Sequence, residues 1–131
     1  MIKNLRICAL CAILTSPYLL ATDIVSKMHD LEYSMGIMQR GFFYNDTAII
    51  TKGLKGFKKT YKEFKKYDVM QYIKPSHTLE ENVVLSTIKH DEENIIALER
   101  ALAKGDILRA AEFQTRIFRS CTSCHAITRS W

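Results

Sequence analysis

Five consecutive residues near the C-terminus, Cys121-Thr122-Ser123-Cys124-His125, carry the most specific chemistry in the chain. A C-x-x-C-H run is the pattern for covalent haem attachment. The two thiols add across the haem vinyl groups, and the two residues between them set the sulfurs at a matching separation. The adjoining histidine then offers its imidazole to the iron as an axial ligand. Other chemistries use a C-x-x-C pair. A thioredoxin-like redox pair belongs at a helix start behind a strand, whereas this one lies in a late helical stretch. A structural zinc site needs four ligands. A pattern this short also arises by chance, so its context has to decide.

The context begins at the other end of the chain. Residues 1–21 open with Lys3 and Arg6, run apolar from Ile7 to Leu14, and reach Ser16, Pro17 and Ala21. That layout predicts a secretory signal peptide. The apolar run is shorter than the ~20 residues a membrane span needs. Cleavage after Ala21 would leave residues 22–131 as one domain and remove Cys8 and Cys11, so that Cys121 and Cys124 are the only cysteines left. It would also lower the formal net charge from +5 to +3 by removing Lys3 and Arg6. That balance does not call for nucleic acid, and no basic–aromatic platform on a strand pattern is present.

Four helical stretches must position the motif. Ile24, Met28, Leu31, Met35, Met38 and Phe42 recur at steps of four and three, one apolar stripe. Thr22 and Asp23 are expected to cap this first helix, and Asn45 and Asp46 to end it and cap the next. The second helix, expected over 47–66, has Ile50, Leu54, Phe57, Tyr61 and Phe64 as its stripe. Gly53 and Gly56 weaken it by about 1 kcal/mol each relative to alanine, so packing must hold it. Its other side carries Lys52, Lys55, Lys58, Lys59, Lys62, Lys65 and Lys66, with Glu63 the one acid among them. This is a solvated face or a docking surface for an acidic partner. Pro75 keeps the following connection out of a helix. Thr78 and Glu81 match a capping box that opens a third helix to about Lys104, with Val84, Ile88, Ile95, Leu98 and Leu102 on its apolar face. Gly105 ends it, Asp106 caps a fourth helix to Trp131, and the motif lies in that last helix. Short turns between four helices predict an all-α, antiparallel up-down-up-down four-helix bundle.

A c-type motif near the end of the last helix of such a bundle resembles the cytochrome c-prime superfamily. The resemblance covers the mature chain in architecture and, in sequence, Cys121 to Arg129 and more loosely the first helix. It implies one covalently bound haem c on Cys121 and Cys124, with His125 as an axial iron ligand. It also implies that Arg129, one turn after His125, contacts a haem propionate.

The sixth iron position separates two functions. In this topology the start of the first helix and the finish of the fourth share one end. Counted from the helix ends, Met28 and His125 lie at similar depth, while Met35 is ~10 Å deeper. Low-spin members of the superfamily have a methionine early in the first helix, followed by apolar residues at the spacing of Met28, Leu31, Met35 and Met38. Met28 is therefore the expected second axial ligand, with Met70, His77 and His29 as rivals. A His/Met-ligated haem implies a one-electron carrier in the periplasm, serving redox partner proteins that are acidic if the lysine face steers them. No membrane span and no nucleic acid are expected, and no acid–base pair beside the motif marks an enzyme. The alternative is a five-coordinate, c-prime-like haem protein binding nitric oxide or carbon monoxide, its distal side lined by Met28, Leu31 and Phe42 or Phe118. Members of the superfamily often pair through their first two helices, so a homodimer is a further expectation that the lysines on the second helix oppose.

Overall fold

A computed structural model describes residues 18–72 and 78–128. Four helices run in sequence: α1 (Tyr18–Phe43), α2 (Thr47–Phe64), α3 (Thr78–Ala103) and α4 (Ile107–Thr128). A short 3-10 helix, Val69–Tyr72, interrupts the connection between α2 and α3. No strand occurs among the described residues, and the chain is the antiparallel four-helix bundle that its periodicity predicts. No helix among them is long and apolar enough to cross a membrane.

The turns follow the chemistry of their residues. Asn45 adopts φ 51°, the left-handed region that asparagine tolerates, and reverses the chain between α1 and α2. Asp46 then caps α2, its carboxylate accepting from the backbone N–H groups of Ala48 (2.9 Å) and Ile49 (3.0 Å). Gly105, at φ 73°, repeats the reversal after α3. The Asp106 carboxylate accepts from the Arg109 N–H at 3.0 Å and opens α4. The start of α1 departs from expectation. The helix already runs at Tyr18, so Thr22 and Asp23 are interior residues and cap nothing. Leu19, Leu20 and Ala21 are strong helix formers and simply extend it. The exposed carboxylate of Asp23 instead accepts a hydrogen bond from the Tyr67 hydroxyl, tying α1 to the chain just past α2. The Thr78 and Glu81 side chains lie outside the described residues.

Within the bundle, Leu31, Met35 and Met38 of α1 meet Leu54, Phe57, Tyr61 and Phe64 of α2, with Ile95 and Leu98 of α3 and Ala110 and Ile117 of α4. Packing is uneven. α1 lies close along α2 and α3 close along α4, whereas the two hairpins stand further apart from each other. Glycine produces the first of these close approaches. A Cβ on Gly53 would stand 2.6 Å from the backbone nitrogen of Met38, and one on Gly41 would stand 2.6 Å from that of Ile50. One on Gly56 would meet the Ser34 hydroxyl at 2.9 Å. The glycines that weaken α2 as an isolated helix are thus what lets it seat on α1.

Gly53→Ala therefore sets two effects against each other. Higher helix propensity favours alanine by about 1 kcal/mol, while a methyl group forced into backbone costs about 1–3 kcal/mol. Urea denaturation should show net destabilisation.

Candidate haem-attachment site

The last two turns of α4 hold the motif. Cys121 and Cys124 are both free thiols and half-buried, and Cys121 packs against the core cluster. Three residues apart on one helix, they share a face. His125 is half-buried beside them. Thr122 and Ser123, the intervening residues, are exposed and turn their hydroxyls onto the Arg119 carbonyl, at 2.8 and 2.9 Å. The variable positions of the motif thus face solvent and the reactive ones face inward. Arg129 lies outside the described residues, as do residues 1–17 of the expected signal peptide and His77.

The thiols share this end of the core with a buried acid. Asp91 of α3 is only 5% exposed. Its Oδ1 and the Oγ of Ser120, the residue preceding Cys121, have no hydrogen-bond partner. The Tyr61 hydroxyl donates instead to the carbonyl of Ile88, at 3.0 Å. Burial pushes the Asp91 carboxyl up to about 6, and the dipoles of Ser120 and Tyr61 offset only part of that. Burial first, and then the charge of Asp91, push the Cys121 thiol up to about 12 and raise that of Cys124. Both cysteines are therefore held protonated at neutral pH.

Sequence reading missed Asp91, although its signal is visible. The apolar stripe of α3 runs Val84, Ile88, Ile95, Leu98, Leu102, with a seven-residue step where a member at position 91 is due. A carboxylate fills the gap in the stripe.

The relation of α1 to the motif follows from one contact. The Gln114 side-chain amide of α4 donates to the Met35 sulfur of α1 at 3.0 Å. Seven residues back along α1 and seven forward along the antiparallel α4, Met28 is level with Cys121, and His125 lies one turn, about 6 Å, beyond. Met28 is half-buried and packs against the core. The Met35 sulfur is already engaged with Gln114. His29 points outward, with Glu32 at 3.7 Å. Met70 is half-buried on the 3-10 helix, its N–H bonded to the Asp68 carboxylate. Two residues offered for a distal pocket do not serve it. Phe42 lies fourteen residues, about 21 Å, along α1 from Met28, and Phe118 is 54% exposed.

These residues fit a covalently held haem. Two free, half-buried thiols at the required spacing adjoin a half-buried histidine. Cys121 and Cys124 would hold the group, with His125 on its iron. The zinc reading finds no cluster of three or more His, Cys, Asp or Glu among the described residues.

The lysine face is narrower than the sequence suggests. Lys58 binds Glu99 of α3 at 2.6 and 2.7 Å, and Lys65 pairs with Glu92 of the same helix. Glu63, the acid of α2, is taken by Lys27 of α1 at 2.8 Å. Lys52, Lys55, Lys59 and Lys62, with Lys66 just beyond the helix, remain as one exposed stripe at steps of three and four. No large exposed apolar residue interrupts it, since those described lie on α1, α3, α4 and the turn after α1.

No protein-family model, curated protein or solved structure matches the chain.

The Asp91 carboxyl has a measurable consequence for stability. A folded pKa of about 6, above the ordinary 3.8, means that the contribution is full below about pH 4 and is lost as the pH rises through 6. Asp91→Asn should therefore stabilise the protein at pH 7.5, by up to about 3 kcal/mol, with the gain vanishing below pH 4. Urea titrations of both forms at the two pH values check this.

Proposed function

We propose that the protein is an exported c-type cytochrome of the periplasm that carries single electrons on one covalently attached haem c. The observation that carries this reading is the pair of free, half-buried thiols on α4 with His125 adjoining, in a bundle whose α1 brings Met28 level with Cys121. Bound here, haem supplies an iron that changes charge by one without exchanging ligands. The chain does the rest. Cys121 and Cys124 would anchor the group, His125 and Met28 would ligate its iron, Arg129 would pair with a propionate, and the core around Phe57 and Tyr61 would exclude water. A methionine opposite histidine raises the reduction potential relative to a second histidine. The exposed lysine stripe of α2 draws an acidic redox partner, an attraction that salt weakens.

One observation favours a second reading. His125 lies a turn beyond the level of Met28, which suits an iron left open on one side to nitric oxide or carbon monoxide. The optical spectrum of the oxidised holoprotein separates the two. Low spin is expected, and a high-spin wild type assigns gas binding. In the low-spin case Met28→Ala should give a high-spin iron that takes up carbon monoxide, and should cost about 2 kcal/mol of packing. Met35→Ala should lose stability with its spectrum nearly unchanged. Haem colour that stays with the chain after acid extraction is expected from thioether attachment, and colour released into the solvent rules it out.

The partner surface is checked separately. Exchanging Lys55, Lys59 and Lys62 for glutamate should slow electron transfer to an acidic partner at low ionic strength and matter little at high. An equal rate at low salt would leave these lysines as a solvated face.

A further inference from the structure

Among the described residues, three of the four most exposed large hydrophobic side chains stand at one end of the bundle. They are Leu108 (82% exposed), Phe43 (77%) and Tyr44 (71%). Phe43 closes α1 and Tyr44 follows it in the turn, whereas Leu108 lies in the first turn of α4. The contact between Gln114 and Met35 sets their levels. Seven residues further along α1 is Phe42, and seven back along the antiparallel α4 is Ile107. Phe43, Tyr44 and Leu108 therefore lie within about one turn of the same height. Leu108 leans toward this end, because the Cα–Cβ bonds of a helix tilt toward its N-terminus. Beside the two aromatic residues Gly36 leaves a shallow groove, with nothing within 4 Å of where its Cβ would be. Tyr33, the fourth of the exposed residues, is set apart, about 15 Å back along α1 from Phe43.

Cations accompany these side chains. Arg40, one turn before Phe43, and Lys104, in the turn before α4, are exposed and have no acidic partner among the described residues. The carboxylates of this end are engaged. Asp46 and Asp106 accept from backbone N–H groups at the starts of α2 and α4, and Glu112 holds Arg109 at 3.1 Å. The end is thus apolar at its crown and carries unpaired cations at its rim.

We propose that this end docks on the surface of a membrane rich in anionic phospholipid. Phe43, Tyr44 and Leu108 enter the headgroup region, and Arg40 and Lys104 meet phosphates. Shape and chemistry select that occupant. Two interhelical turns form a narrow tip, and three side chains fall well short of the roughly 800 Å² that each partner of a stable protein complex buries. A bilayer interface takes projecting apolar side chains without a shaped pocket. Tyrosine suits that level, with its ring toward the acyl chains and its hydroxyl in water. Lysine and arginine near the surface add an attraction to anionic lipid that salt weakens. Contact of this kind needs no membrane-spanning helix, of which the described residues have none. The cysteine motif stands at the other end, since Cys121 is about 20 Å along α4 from Leu108. A docked molecule therefore turns residues 121–125 away from the lipid, and the lysine stripe of α2 runs free along its side. The docking rests on the bundle alone and does not depend on haem.

Co-sedimentation of the exported, processed protein with large vesicles tests this. At low ionic strength it should pellet with vesicles of phosphatidylethanolamine and phosphatidylglycerol in equal parts, and bind pure phosphatidylcholine at least tenfold more weakly. Phe43→Ser combined with Leu108→Ser should weaken binding at least tenfold at low and at high salt. The melting temperature should stay unchanged, because both side chains are exposed. Arg40→Glu combined with Lys104→Glu should weaken binding by a similar factor at low salt only. A wild type that stays in the supernatant would overturn the proposal. So would binding that the serine pair leaves intact, which assigns adsorption to the lysine stripe, or a serine pair whose only effect is to abolish self-association in sedimentation velocity.

Discussion

Where Gly53 meets Met38, the absence of a side chain on α2 lets its backbone close on the backbone nitrogen and the Cγ of Met38. The rest of the arrangement depends on that contact. It fixes α1 against α2 in both height and rotation, and so turns Met28, Leu31 and Met35 toward the centre of the bundle and Gly36 and Arg40 away from it. Turned inward, Met35 meets Gln114 of α4, which sets the register of the motif-bearing helix against α1. A helix pair held through ordinary side chains has room to slide, whereas glycine against backbone allows much less.

The close fit inside each hairpin contrasts with the looser seam between them. Large side chains bridge the seam: Phe57 and Tyr61 of α2, stacked with ring centres 5.8 Å apart, reach toward Leu98 and Ile117. The Tyr61 hydroxyl crosses it to the Ile88 carbonyl. The seam also carries the one ionisable carboxyl in the described core. Asp91 costs stability when charged, and its charge acts on the thiols of Cys121 and Cys124.

Charge is sorted helix by helix. α2 and α3 exchange Lys58–Glu99 and Lys65–Glu92, and α1 supplies Lys27 to Glu63, so part of the lysine-rich face is spent inside the molecule. What remains is a straight basic stripe on α2 and, on the opposite side of α1, a mixed aromatic and charged face.

Much of this was legible in the residue order. Steps of three and four in the apolar residues determined four helices, Asn45, Asp46, Gly105 and Asp106 determined the turns, and Cys121, Cys124 and His125 identified the candidate site, because each of these signals acts within one or two turns of chain. The start of α1 was misplaced, since capping residues stop a helix only where the preceding chain is a poor helix former, and Leu19-Leu20-Ala21 is not. Other properties depend on residues distant in sequence. Only the tertiary structure showed that Gly53 favours the fold and that Lys58 and Lys65 are engaged. Gly36 and Gly53 look alike in sequence. They part only when a neighbouring helix fills the space beside one and leaves the other open, because steric contact is a property of the assembled bundle and not of either helix alone.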